Sequence, residues 1–143
     1  MYTPHIVTVF NIGAEDPATF IQPISATVLS GVLLDASKAI NVRQSGLESA
    51  DSVNLYIPFS VSATDAITGE AKQYADPKQY AQLDLNAYWT LNTSNCFFVK
   101  GIVKELAEFQ VINQKYDDVY RVTKVDKKDF GTPDMQHWEV GGA

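Results

Sequence analysis

The side chains in this sequence that could do acid-base, nucleophilic or metal chemistry are two histidines, one cysteine and a few grouped carboxylates. His5 and His137 stand at opposite ends of the chain and Cys96 is near neither, so no two of these ligands share a helical turn or a strand face. His137 and Glu139, two residues apart, fall on one face of a strand, and a solvent-facing sheet edge explains that spacing better than a ligand pair does. A Cys96–His137 nucleophile pair is the other arrangement to weigh. Cys96 opens the apolar run Cys-Phe-Phe-Val, where a thiol packs as a small hydrophobe and no nearby cation lowers its pKa. The doublets Glu15-Asp16 and Asp117-Asp118 read as turn residues, because neighbouring carboxylates rarely converge on one substrate atom. The sequence contains no dinucleotide fingerprint, phosphate loop, zincin helix or nucleophile elbow. The expectation is a chain with no catalytic centre, no cofactor and no metal.

Trp89, Trp138, Tyr88, Tyr120, Phe97 and Phe98 have the flat faces that stack on sugars or bases. Filling the core is the favoured role, since large aromatics supply much of a small domain's burial. Which role they take depends on the elements that carry them.

The clearest of these elements is Ser52–Ser62, in which Val53, Leu55, Ile57, Phe59 and Val61 alternate with polar or small residues. A period of two over this length predicts a strand with one buried face. His5–Phe10 is rich in β-branched and aromatic residues and predicts another. Ala26–Ala36 is apolar on both faces, as in a central strand, with Gly31 marking a bulge or a close backbone approach. Between them, 37–51 loses apolar periodicity and reads as a long loop, the first place to look for function. Residues 63–74 read as a polar connection turning at Thr68-Gly69.

Asp76-Pro77-Lys78-Gln79 has the pattern of a capping box with proline at the first helical position, and predicts one short helix over 77–83 with Tyr80 and Leu83 on one face. Tyr88–Leu91 and Cys96–Gly101, joined by Asn92-Thr93-Ser94-Asn95, read as a hairpin. In residues 102–118, Ile102, Leu106 and Phe109 fit a helical face but Val111-Ile112 could begin a strand, and the segment reads as irregular with a helical turn possible. Val119–Val125 and Met135–Val140 complete the strands, with Trp138 and Val140 on the face opposite His137 and Glu139. About seven strands and one short helix, without strand-helix alternation, predict a mainly β fold: a small antiparallel barrel or sandwich with a long inter-strand loop.

With 143 residues, of which 45% are hydrophobic, the chain suits one domain over its whole length. No apolar run is long enough for a transmembrane helix, and the opening Met-Tyr-Thr-Pro-His lacks the features of a signal peptide. A single cysteine points to a reducing compartment. The formal net charge is −6, and residues 1–99 carry only four basic side chains against nine acidic ones. Tight non-specific binding of nucleic acid needs clustered Lys and Arg, and is not expected. An acidic surface suits a passage through which a polyanion slides without sticking.

Three blocks carry a family likeness: Phe97-Phe98-Val99-Lys100-Gly101, Tyr116-Asp117-Asp118-Val119-Tyr120-Arg121-Val122 and Asp134-Met135-Gln136-His137-Trp138-Glu139-Val140. The chain resembles the small head-tail connection proteins of siphophages and prophages of Firmicutes, over most of its length from Val7 to Val140. A β-barrel with a long inter-strand loop and a closing Tyr-Arg-Val-x-x-Val and final strand is similar to phage head-closure, or stopper, proteins. The resemblance implies a non-enzymatic virion protein at the head-tail interface, assembled in the host bacterial cytoplasm. It implies a homo-oligomeric ring between a portal or adaptor protein above and a tail protein below, without a membrane partner. It also implies that a loop lining the channel touches packaged DNA transiently and retains it. The candidate channel loop is 37–51, with Lys38, Asn41, Arg43, Gln44, Ser45, Gly46, Glu48 and Asp51 as its polar residues and its glycine; 63–74 is the second choice. Alternatives are a tail-completion or tail-terminator protein and, in another class, a small β-barrel ligand-binding module with Trp89 and Trp138 in a pocket.

Overall fold

A computed structural model describes residues 3–13, 15–37, 40–43, 46–49 and 52–143, with the side chains of 37, 40–43 and 46–49 excepted. The fold is mainly β. In chain order the strands are β1 (His5–Ile12), β2 (Ile24–Ser37), β3 (Ile40–Arg43), β4 (Gly46–Ser49), β5 (Ser52–Pro58), β6 (Ser62–Asp65), β7 (Gln73–Tyr74), β8 (Tyr88–Trp89), β9 (Cys96–Lys100), β10 (Val119–Lys128) and β11 (His137–Gly142). Helix α1 (Pro77–Tyr80) follows β7, and α2 (Phe109–Lys115) follows β9.

Six strands, in the order β1-β9-β10-β11-β5-β2, close into an antiparallel barrel through the β1–β2 pairing, and β6 adds a seventh along β2. The length of β2 makes the closure possible. Its first part, Ile24–Val32, pairs with β1, and Leu33–Ser37 pairs with β5. At the join, His5 faces Val32 while Ile6 faces Ser30, so Gly31 is the extra residue of a bulge. Gly31 has φ +90°, a conformation that only glycine adopts without strain.

The strand expected over Ser52–Ser62 is divided. Val53, Leu55 and Ile57 are buried as the alternation predicts, but Pro58 ends β5, and Val61 N–H donates to Pro58 C=O at 3.0 Å across a turn. The chain then resumes on the same neighbour. Tyr56 faces Leu33 and Ser62 faces Ser30, so β2 advances three residues where the other chain advances six. Phe59 and Val61 in this detour still pack against the core.

Residues 63–74, expected as a connection, contribute to β6 and β7 around a turn. Asp65 Oδ1 accepts from the N–H groups of Ile67 and Thr68, and Gly69 takes φ +76°. The expected 88–101 hairpin does not form: β8 pairs in parallel with β7, and β9 pairs with β1 and β10. Cys96–Val99 are all buried because both faces of β9 are covered, Cys96 and Phe98 in one apolar group and Phe97 and Val99 in the other, and the turn before them is closed by Asn92 Oδ1 accepting from Ser94 and Asn95 N–H.

Helix α1 is shorter than predicted, and the Asp76 side chain makes no capping bond. Tyr80 is buried and bonds Ser25 Oγ, whereas Leu83 lies beyond the helix and is partly exposed. A second helix, α2, lies inside the segment read as irregular, held by the fully buried Ile112. Two apolar groups fill the molecule, one inside the barrel and one between the β1–β2–β9 face and α2.

Candidate functional site

The segment singled out as a channel loop is an antiparallel hairpin over part of its length. Ile40 faces Ser49, Asn41 faces Glu48, Val42 faces Leu47 and Arg43 faces Gly46. Among the described residues, β3 and β4 pair only with each other and form a sheet apart from the barrel. The hairpin is inserted where Ser37 and Ser52 face each other across the β2–β5 ladder. Of the candidate residues, Asn41, Arg43, Gly46 and Glu48 therefore lie in this hairpin, while Lys38, Gln44, Ser45 and Asp51 lie outside the described residues. The correction to the sequence reading is local: with apolar Ile40, Val42 and Leu47 alternating with polar residues, two strands too short to show a clear period were read as loop.

The two tryptophans come together inside the barrel. Trp138, on β11, lies 4.4 Å from the Phe59 ring, 4.3 Å from Tyr74 and 5.7 Å from Trp89, measured between centroids. A cavity of about 250 Å³ opens beside Phe59, Val61, Tyr74, Trp89 and Trp138. Trp89 is only 1% exposed and Trp138 5%, so their faces are occupied by each other and by the core. Burial, and next the nearby Asp76 carboxylate, push the Tyr74 hydroxyl up to about 12. Among the described residues Trp138 Nε1 has no hydrogen-bond partner. Phe98 and Tyr120 pack in the same core, and Phe97 stacks on Phe10 at 4.6 Å in the other.

One charged group escaped the sequence reading. The Lys72 side chain is fully buried, with Nζ 3.1 Å from Asp65 Oδ2 and donating to Thr27 Oγ1 at 3.0 Å. Burial lowers the Lys72 pKa in spite of the attraction of Asp65. For Asp65, burial acts upward, but the Thr68 and Ile67 amides and Lys72 together leave its pKa below the ordinary value. Nothing in the polar run around Lys72 marks it as interior. The signal lies in tertiary placement, since Lys72 N–H donates to Ala63 C=O and turns the side chain back beneath β6 toward β2. The pair ties the turn after β6 to Thr27 of β2, and Lys72 also lines the cavity beside Trp89 and Trp138.

The remaining chemistry-bearing residues do not converge. His137 Nε2 lies 3.2 Å from Glu139 Oε1, and Nδ1 lies 2.8 Å from Met135 C=O. Both contacts are hydrogen bonds at once only when the ring carries both protons. Cys96 is buried, its thiol pushed up to about 12 by burial, and it belongs to β9, which β10 separates from the strand of His137. His5 Nδ1 accepts from Leu34 N–H, Asp16 Oδ1 accepts from Ala18 N–H, and Tyr120 Oη donates to Asp118 Oδ1. Among the described residues no three His, Cys, Asp or Glu side chains gather as a metal site. A protein-family model, that of a family of unknown function (DUF6751), matches residues 2–143. No curated protein and no solved structure matches the chain.

Proposed function

The chain belongs to the DUF6751 family over nearly its whole length, and from this premise we propose that it is a structural protein of a phage neck, a head-closure ring subunit whose β3–β4 hairpin lines the channel and retains packaged DNA. The observation that carries the reading is the hairpin itself. It leaves a closed barrel between two paired strands and joins none of the barrel ladders among the described residues. A gate of this kind must be held at its base by rigid strands and stay separate from the core they enclose. The net charge of −6 supports a channel that DNA traverses without adhering. The likeness to siphophage connector proteins supplies the context of a homo-oligomeric ring between a portal or adaptor protein and a tail protein.

Electron cryo-microscopy of intact particles tests the proposal. A ring of this chain between portal and tail tube, with residues 40–49 directed into the lumen, is the expected result. Density for the chain at the end of the tail tube instead would favour a tail-terminator role, and its absence from particles would refute both. The cavity beside Trp89 and Trp138, with a Trp138 Nε1 that has no partner among the described residues, favours a second reading as a ligand-binding module. That reading predicts a change in tryptophan fluorescence on titration with soluble glycans, and an unchanged spectrum counts against it.

A further inference from the structure

Strand β10 is paired on both sides for only part of its length. Its ladder with β9 covers Val119, Tyr120 and Arg121, opposite Val99, Phe98 and Phe97. From Val122 to Lys128, its paired neighbour among the described residues is β11 alone. Arg121 and Ala143 exchange both backbone hydrogen bonds, at 3.0 and 3.1 Å. Antiparallel ladders alternate bonded and non-bonded pairs, so Glu139 and His137 bond to Asp126 and Lys128 across the strand, and the amides and carbonyls of Val125 and Lys127 face away from β11. The result is an open sheet edge, the surface on which an extended chain adds as a further strand.

This edge has a charge unlike the rest of the protein. From Val122 to Lys128 it carries Lys124, Lys127 and Lys128 against Asp126 alone, which is three of the chain's 11 basic residues and one of its 17 acidic ones. Asp126 is already engaged by Lys124 at 2.9 Å, and the cross-strand neighbour Glu139 is engaged by His137. Each such edge carries three lysines against one aspartate, and this net positive charge disfavours pairing of two copies through β10. An acidic strand meets no such penalty.

We propose that the β10 edge from Val122 to Lys128 is a docking site for an extended acidic segment of a partner protein, bound by strand addition. The inference does not rest on the neck reading, because edge and charge belong to the barrel whatever its location. The test is residue-resolved hydrogen exchange on the full chain, alone and with a capped nine-residue peptide alternating Val and Glu, with a Val/Lys peptide as control. In the free chain the Val125 and Lys127 amides exchange readily. The Glu peptide is expected to slow them by at least about tenfold, less at high salt, and the Lys peptide to leave them unchanged.

The triple variant Lys124→Glu, Lys127→Glu, Lys128→Glu is expected to lose the response. Lys127→Pro, which removes an outward amide, is expected to fold with nearly the same melting temperature and also to lose it. Protection of Val125 and Lys127 in the free chain would overturn the proposal. So would an equal response to both peptides, dimerisation through β10 seen in sedimentation, or no response to either peptide, which would leave the lysines as guards against aggregation only.

Discussion

Lys72 and Asp65 place buried opposite charges where β6 adjoins β2, and their environments set how stability varies with pH. Asp65 has a folded pKa below 3.8, because burial, which acts upward, is outweighed by the Thr68 and Ile67 amides and by Lys72. A carboxylate lowered in this way stabilises the fold above its unfolded pKa, and the contribution is lost as pH falls through the lower folded value. The urea midpoint is therefore expected to drop as pH is taken below 3.8, and Asp65→Asn to flatten that dependence. Lys72 behaves as a base with a folded pKa below 10.5, so stability rises with pH between its folded value and 10.5. Asp65→Ala leaves a buried ammonium without its counter-ion and is expected to cost about 3 to 5 kcal/mol. Lys72→Met leaves Asp65 its two amide donors and is expected to cost less, both read by urea denaturation. Gly142 is a second point of constraint. A Cβ there would lie 2.9 Å from Val53 Cγ2, 3.0 Å from Phe98 Cζ and 3.1 Å from Tyr120 Cβ. Gly142→Ala is expected to destabilise by about 1 to 3 kcal/mol, seen as a lowered thermal midpoint.

Among the elements, those whose residues answer to a single buried face were the legible ones. Val53, Leu55 and Ile57 on β5 and Trp138 and Val140 on β11 point inward as their alternation predicts. What was misread is the pairing of a strand whose partners lie far along the chain. Cys96–Lys100 was assigned to the nearest strand in sequence, whereas its partners are β1 and β10, because a strand buried on both faces records no preference for a particular neighbour. The segment 102–118 shows the same limit for a helix. Phe109 and Ile112 anchor α2 against Phe97, Val99 and Val119 of the barrel wall, but seven residues are too few to register a helical period. Ile112→Ala is expected to cost about 2 to 5 kcal/mol in denaturant melts and to raise hydrogen exchange in α2.

At the scale of the molecule, the question is whether the hairpin is part of the barrel or an attachment to it. Ser37 and Ser52 face each other across the β2–β5 ladder, so a tight turn can join them. Replacing residues 38–51 by Asn-Gly is expected to leave the barrel folded, with a melting temperature changed by less than about 5 °C and unaltered near-ultraviolet circular dichroism. A collapse of the fold would show that the hairpin is structural and would remove the main support for a separable gate. The hydrophobic count and the single acidic surplus act at this scale too, since they set solubility and the kind of polymer that can pass nearby, without choosing a topology.

By itself, the sequence determined that the chain is a mainly β domain, which stretches bury alternate residues, that Gly31 interrupts a long strand, and that Cys96 is a packing residue. These follow from local chemistry: side-chain alternation, backbone freedom at glycine and the polarity of neighbours. Only the tertiary structure decided that β2 is shared by three neighbours to close a barrel, that 37–51 contains a hairpin, that Lys72 is interior and that β10 beyond Arg121 is paired on one edge only among the described residues. Each of these depends on which distant strand lies alongside. Pairing between strands is made by backbone groups that every residue carries, so its partners leave little trace in the identity of the residues.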